Sequence, residues 1–222
     1  MNWIFKIRKQ YRIFGIFAFV FFILILLGLY TTSGIEKITR SFGSMYADRL
    51  VPSMDLANVL IDVYENRVSL ENHISEKSLE EKLKIERTVL RNHKAIDSII
   101  ANVSNTYLVS DERTLLAEFR ANFRNYKNIE KDILKLSNEF NVDSSLQLMS
   151  HKGNVVFHLV ISPLQGMEMT QKKVGHELYV DSLKVASRVK MVSYSIMIAA
   201  ALAAIFLALG LTYLTIDQTS KD

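Results

Sequence analysis

The chain has 222 residues, 49% hydrophobic and 23% charged, with no cysteine, which excludes disulfides and thiolate metal sites. Its net charge of +4 comes from the first twelve residues, where Lys6, Arg8, Lys9 and Arg12 stand without an acid. Residues 36–190 hold 22 Lys+Arg against 21 Asp+Glu, so no folded region carries the clustered positives of a nucleic-acid-binding face.

Residues 1–12 form the basic arm. Residues 13–35 follow without a charge and exceed the roughly 20 residues a helix needs to cross about 30 Å of hydrocarbon. They predict a first transmembrane helix, Phe-rich at Phe14, Phe17, Phe19, Phe21 and Phe22. The apolar stretch is longer than that of a cleaved signal peptide and no small-x-small site follows, so it reads as an uncleaved anchor. Lys and Arg beside a span hold that side in the cytoplasm. This places residues 36–190 outside and both termini inside. Lys184, Arg188 and Lys190, at the outer end of the second span, run against this trend.

Residues 36–190 read as helix throughout, with only two prolines and 3-4 spacing of apolar residues. The first helix places Leu50, Met54, Ala57, Ile61, Tyr64 and Val68 on one face, a seam toward partner helices. It stops near Ile74, where Ser75 and Ser78 offer caps and Glu81 completes a Ser-x-x-Glu box with Ser78. The second helix repeats the spacing through Ile85, Val89, Ile96, Ile99 and Val103, with Asn92 in the remaining slot as a register-setting polar residue or a ligand contact.

Residues 104–110 are polar and without period. Asp111 can cap a third helix with seam Leu115/Leu116, Phe119, Phe123, Tyr126, Ile133, Leu136 and Phe140. After a turn at 141–145, with Asp143 or Ser144 as cap, the fourth helix runs through Leu146, Met149, Val156, Val160, Leu164, Met167, Val174, Leu178 and Val185. It continues without a break signal into residues 191–216, also uncharged and predicted as a second transmembrane helix, with residues 217–222 a short cytoplasmic tail. Ala200, Ala204 and Ala208 recur every four residues there and suit close helix packing in lipid. The expected fold is all-α: two transmembrane helices flanking an extracytoplasmic up-down-up-down four-helix bundle.

The order of basic arm, span, helical hairpins and span resembles the four-helix-bundle sensor module of methyl-accepting chemotaxis proteins. The residues that carry the likeness are Tyr46-Ala-Asp-Arg-Leu-Val-Pro52-Ser-Met-Asp-Leu56 and Pro163 with Leu164 and Met167. The likeness implies a sensory protein of the bacterial inner membrane, a homodimer by bundle pairing, whose bundle binds a small solute between its first and last helices. The candidate contacts are Tyr64, Arg67 and His73 on the first helix and Gln147, His151, Asn154 and His158 on the fourth. A full receptor continues into a long cytoplasmic hairpin. With six residues after the second span, the expectation is a separate signalling or membrane partner.

Read from the residues themselves, Arg67 can hold a carboxylate by its fork or sit in solvent beside Glu71 at i+4. Pro52 and Pro163 each remove a backbone bond and kink their helix. The five histidines lack the i,i+3 or i,i+4 spacing of a helical metal pair, and no phosphate loop, H-E-x-x-H or nucleophile elbow occurs. The sequence therefore predicts no enzyme, no metal and no cofactor. The alternative to a sensor is a structural or interaction protein that docks to another membrane complex without a solute.

Overall fold

In the computed structural model the backbone of residues 2–219 and the side chains of residues 15–210 and of Thr212 are described. The fold is all-α, 94% helical. The elements are α1 (Asn2–Met45), a π-turn (Tyr46–Leu50), α2 (Val51–Ser75), α3 (Leu79–Ser104), α4 (Ser110–Asn138), α5 (Val142–Leu148), a second π-turn (Met149–Gly153) and α6 (Asn154–Thr219). The chain divides into two compact units: a bundle, Gly43–Leu178, and a helix pair made of the residues up to Phe42 and from Tyr179. Residues 36–42 and 179–190 thus pack with the helix pair, beyond the spans expected from hydropathy.

The bundle's direction follows from which polar groups meet. Arg49 reaches Glu112 and Gln171. His73 and Lys82 meet Ser137, and Asn66 meets Asn92. α2 and α4 therefore run parallel, with α3 and α6 antiparallel to them, the up-down-up-down order of a short-loop bundle. The core is continuous from Leu56, Val59 and Val63 through Ile96, Phe119, Phe123 and Ile133 to Val160, Leu164 and Met167.

The seams expected on the middle helices hold where a charged face opposes them: Val89, Asn92, Ile96 and Val103 are buried on α3, and Leu116, Phe119, Phe123, Tyr126 and Ile133 on α4. On α2 the expected seam is on the wrong face. Leu50, Met54, Ile61, Tyr64 and Val68 are 47–62% exposed and Ala57 is exposed too. The buried face is Pro52, Leu56, Val59, Val63, Asn66, Leu70 and His73, two residues, or about 200°, around the helix. Both faces carry apolar residues at 3-4 spacing, so periodicity alone does not choose between them. Leu146 and Phe140 are likewise exposed. Phe140 takes the left-handed conformation (φ 55°), and Asn141 N–H donates to Leu136 O at 3.1 Å, closing α4 in the arrangement that usually has glycine at this position.

The caps also differ. Ser78 makes no side-chain cap bond; instead Glu76 Oε1 accepts the Lys77 and Ser78 N–H groups at 2.7 and 2.8 Å. α4 starts at Ser110, so Asp111 lies inside it, and Glu112 accepts from Val109 N–H at 2.8 Å. The cap of α5 is Asn141, whose side-chain oxygen accepts from Ser144 N–H at 3.2 Å.

Both prolines are buried within helix. Pro52 follows the first π-turn, where Val51 N–H bonds to Tyr46 O. This i→i−5 register is the usual way a helix absorbs an extra residue. Pro163 lies inside α6 and cannot donate to Leu159 O. That carbonyl instead accepts from Asn122 Nδ2 on α4 at 2.9 Å, so the orphaned acceptor is satisfied across the helix interface.

In the helix pair, half-buried residues recur at steps of three and four: Phe17, Val20, Leu24, Leu27, Thr31, Gly34 and Ile38 on α1, and Val185, Val189, Val192, Ile196, Ala199 and Ala203 on α6. This is a coiled-coil seam. It is tightest at Gly34, where an added Cβ would collide with Val189. Ala200, Ala204 and Ala208 are exposed, and Ala199 and Ala203 take the inner face. Both helices carry stretches long and apolar enough to cross a membrane.

Candidate functional site

α2 supplies three of the seven expected binding residues, and the structure divides these three into two groups. Arg67 is only 16% exposed. Its guanidinium lies over the Phe157 ring at 5.4 Å and donates from Nη1 to Met149 O at 3.4 Å, while Nε is 3.5 Å from Glu71. The expected Glu71 neighbour is therefore present, but the side chain is folded inward and not solvated. The second π-turn (Met149–Gly153) presents the Met149 carbonyl to this guanidinium, and Gly153 packs beside it.

Tyr64 packs edge-on against the same Phe157 at 5.2 Å, with His158 5.9 Å from that ring and Tyr126 closing the other side at 5.8 Å. Burial, and next Glu130, raise the Tyr126 phenol above its ordinary pKa. Tyr64, Arg67 and His158 thus converge on Phe157. Gln147, His151, Asn154 and His158 are all exposed, and His151 Nδ1 meets Gln147 O at 3.1 Å. This border between α2 and α6 places a cation and a tyrosine on an aromatic floor.

His73 belongs elsewhere. It is fully buried, with Nδ1 2.8 Å from Ser137 Oγ and Nε2 3.3 Å from Glu86. Lys82, 1% exposed, donates to Ser137 O and Oγ at 2.7 Å, and its ammonium lies 5.1 Å from the Phe140 ring. Burial, then the Lys82 charge, hold the His73 imidazole below its usual pKa against the pull of Glu86. Burial likewise lowers Lys82. This cluster locks the turns of the bundle together and leaves His73 no free face.

Three further buried polar contacts were not legible in the sequence. Arg49 Nη1 donates to both Glu112 oxygens at 3.1 and 2.9 Å and reaches Gln171 Oε1 at 3.4 Å, with Arg49 Nε and Gln171 Nε2 left unpartnered. Asn92 Nδ2 donates to Asn66 Oδ1 at 3.0 Å and to Glu65 at 3.2 Å. His93 Nε2 lies 2.6 Å from Glu130 Oε2, and burial raises the Glu130 carboxyl against the pull of His93. Each sits on a helix–helix contact, and none joins a nucleophile to a base.

Buried polar contacts thus tie the helices of the bundle together, and Arg67 stands at the border of α2 and α6. The sequence model described as "four helix bundle sensory module for signal transduction" matches residues 5–186. The chain belongs to that family, the chemoreceptor-type sensor modules of methyl-accepting chemotaxis proteins, as the residues around Pro52 and Pro163 suggest. A search of curated proteins found no match.

Proposed function

We propose that the chain is a sensory protein of the bacterial inner membrane. It spans the bilayer twice, with its basic arm in the cytoplasm and the bundle outside. It captures a small solute at the border of α2 and α6 beside Arg67, and passes occupancy on as a shift of α6. The observation that carries this reading is Arg67 itself: a largely buried guanidinium on an aromatic floor, bonded to a carbonyl of the second π-turn. A carboxylate is the chemistry its remaining donors would take. Displacing the Met149 carbonyl would act directly on α6, and packed helices answer with movements of about 1–2 Å.

The outward stripe of α2, Leu50, Met54, Ala57, Ile61, Tyr64 and Val68, keeps the 3-4 spacing of a helix seam while exposed. It supports a homodimer through α2, with Arg67 on the flank of the interface. The competing reading, docking to another membrane complex without a solute, draws on the same stripe.

The cysteine-free chain makes the test simple. Lys152→Cys, exposed in the second π-turn, should react with a membrane-impermeant maleimide in intact cells, and Met54→Cys should form a disulfide with its own copy. Labelling only after lysis would overturn the orientation. A Met54→Cys adduct to a different membrane protein would favour the docking reading.

A further inference from the structure

The positive charges at the outer end of the second span are unexplained by orientation, because Lys and Arg there oppose the trend set by the arm. Within the helix pair, a cavity of about 220 Å³ opens between α1 and α6 at this point, smaller than the roughly 300–1,000 Å³ of a drug-sized ligand site. Gly34 and Val189, where the helices cross most closely, form its floor. Tyr30 and Ser33 bring hydroxyls, and Lys37, Arg40 and Arg188 bring three cations. Tyr30, Ser33, Gly34 and Lys37 are spaced i, i+3, i+4 and i+7, so α1 turns one face to the cavity. No acid lines it.

Two neighbouring cations are already engaged. Lys184 pairs with Asp181 at 3.1 Å, and Lys190 lies over the Tyr194 ring at 5.8 Å. Among the described residues, Lys37, Arg40 and Arg188 have no ion pair. Three cations without a counter-charge, gathered around a small polar hollow at the end of two apolar helices, repel one another until an anion joins them. Guanidinium forks match phosphate oxygens two at a time, and the hydroxyls can donate to the rest.

We propose that this cavity binds a phosphate group, and that in the membrane its source is the phosphodiester of an anionic phospholipid headgroup. Basic pockets between membrane helices recognise such headgroups. The inference rests on the reading that the two helices cross a bilayer.

The test uses the full chain with Lys6, Arg8, Lys9 and Arg12 changed to Gln, so that the arm cannot hold lipid. It is purified in nonionic detergent and titrated with short-chain phosphatidylglycerol, short-chain phosphatidylcholine or inorganic phosphate, with binding read by native mass spectrometry. Phosphatidylglycerol should saturate at one per chain and bind more tightly than phosphatidylcholine. The triple variant K37Q/R40Q/R188Q should weaken it about tenfold or more, the loss of charge-assisted contacts to the phosphate, while K184Q changes it little. Inorganic phosphate binding as tightly as the lipid would overturn the headgroup as source. Undiminished lipid binding by the triple variant would overturn the site. Flotation with phosphatidylcholine vesicles keeps the two readings apart: a chain that floats without preferring phosphatidylglycerol refutes the cavity alone, and one that does not float refutes the spans.

Discussion

Changing Arg49 to Met and Glu112 to Gln, singly and together, measures what the most deeply buried ion pair contributes. Arg49 is 5% exposed and Glu112 fully buried. Their bonds of 2.9 and 3.1 Å join the first π-turn to the start of α4. Arg49→Met leaves the Glu112 carboxylate buried with the Val109 N–H as its remaining donor. Breaking a buried pair from one side costs about 3–5 kcal/mol. For a bundle of this size that is a fall in melting temperature on the order of 10–15 °C. Glu112→Gln keeps an acceptor for Val109 and leaves the guanidinium without its counter-charge, a similar loss. The double variant buries no charge, so it should be more stable than the two losses added, with a coupling of about 2–3 kcal/mol. Thermal unfolding of the full chain in nonionic detergent, followed by circular dichroism, reads all four proteins. Single variants within about 2 °C of the parent, or strictly additive losses, would refute the reasoning.

Asn122→Leu should cost about 0.5–1 kcal/mol, because it removes the donor to the carbonyl that Pro163 leaves free, at an exposed contact. In a Pro163→Ala background, where the helix can bond Leu159 O itself, the same change should cost clearly less, and equal losses by thermal unfolding would dismiss the role of Asn122. His73 has a depressed folded pKa, so the unfolded chain binds its proton first. Its contribution is complete above the unfolded value of about 6.5 and falls by up to about 1.4 kcal/mol per pH unit below it. The melting-temperature gap between the parent and His73→Gln should therefore narrow from pH 7.5 to pH 5, and a constant gap would show that folding leaves the His73 pKa unshifted. Gly34→Leu should loosen the helix pair, since the added side chain meets Val189. Limited proteolysis in detergent should then cut residues 36–42 or 179–190 faster than in the parent, and an unchanged digestion pattern would contradict the close crossing.

How much could be read from the sequence depended on local contrast. α3 and α4 alternate an apolar seam with a charged face, so their buried residues follow from spacing. α2 is apolar on two faces, and the buried one contains Asn66 and His73 while the exposed one is wholly apolar and aromatic. Spacing therefore pointed outward, to the face now proposed for pairing between copies. Asn92 stood out because it interrupts a period. Its partner Asn66 did not, because the α2 seam had been placed on the other face. Arg49 with Glu112, His73 with Ser137 and Asn122 with Leu159 lie far apart in sequence, and no local pattern joins them. Among the expected binding residues, Tyr64 and Arg67 meet on Phe157, an aromatic that falls beside the apolar period of its helix and so gives no local signal. The π-turn whose Met149 carbonyl meets Arg67 carries no sequence signal of its own.

The central claim is that the bundle binds a solute through Arg67. It is tested most directly by melting the full chain in detergent against amino acids, organic acids and other small metabolites. A ligand at 100 times its dissociation constant adds about 2.7 kcal/mol, a shift on the order of 8 °C here. A saturable shift is expected from an anionic solute, lost in Arg67→Gln when each protein is compared with its own ligand-free melt. A flat screen from a well-folded chain, or a shift that Arg67→Gln leaves intact, would contradict it.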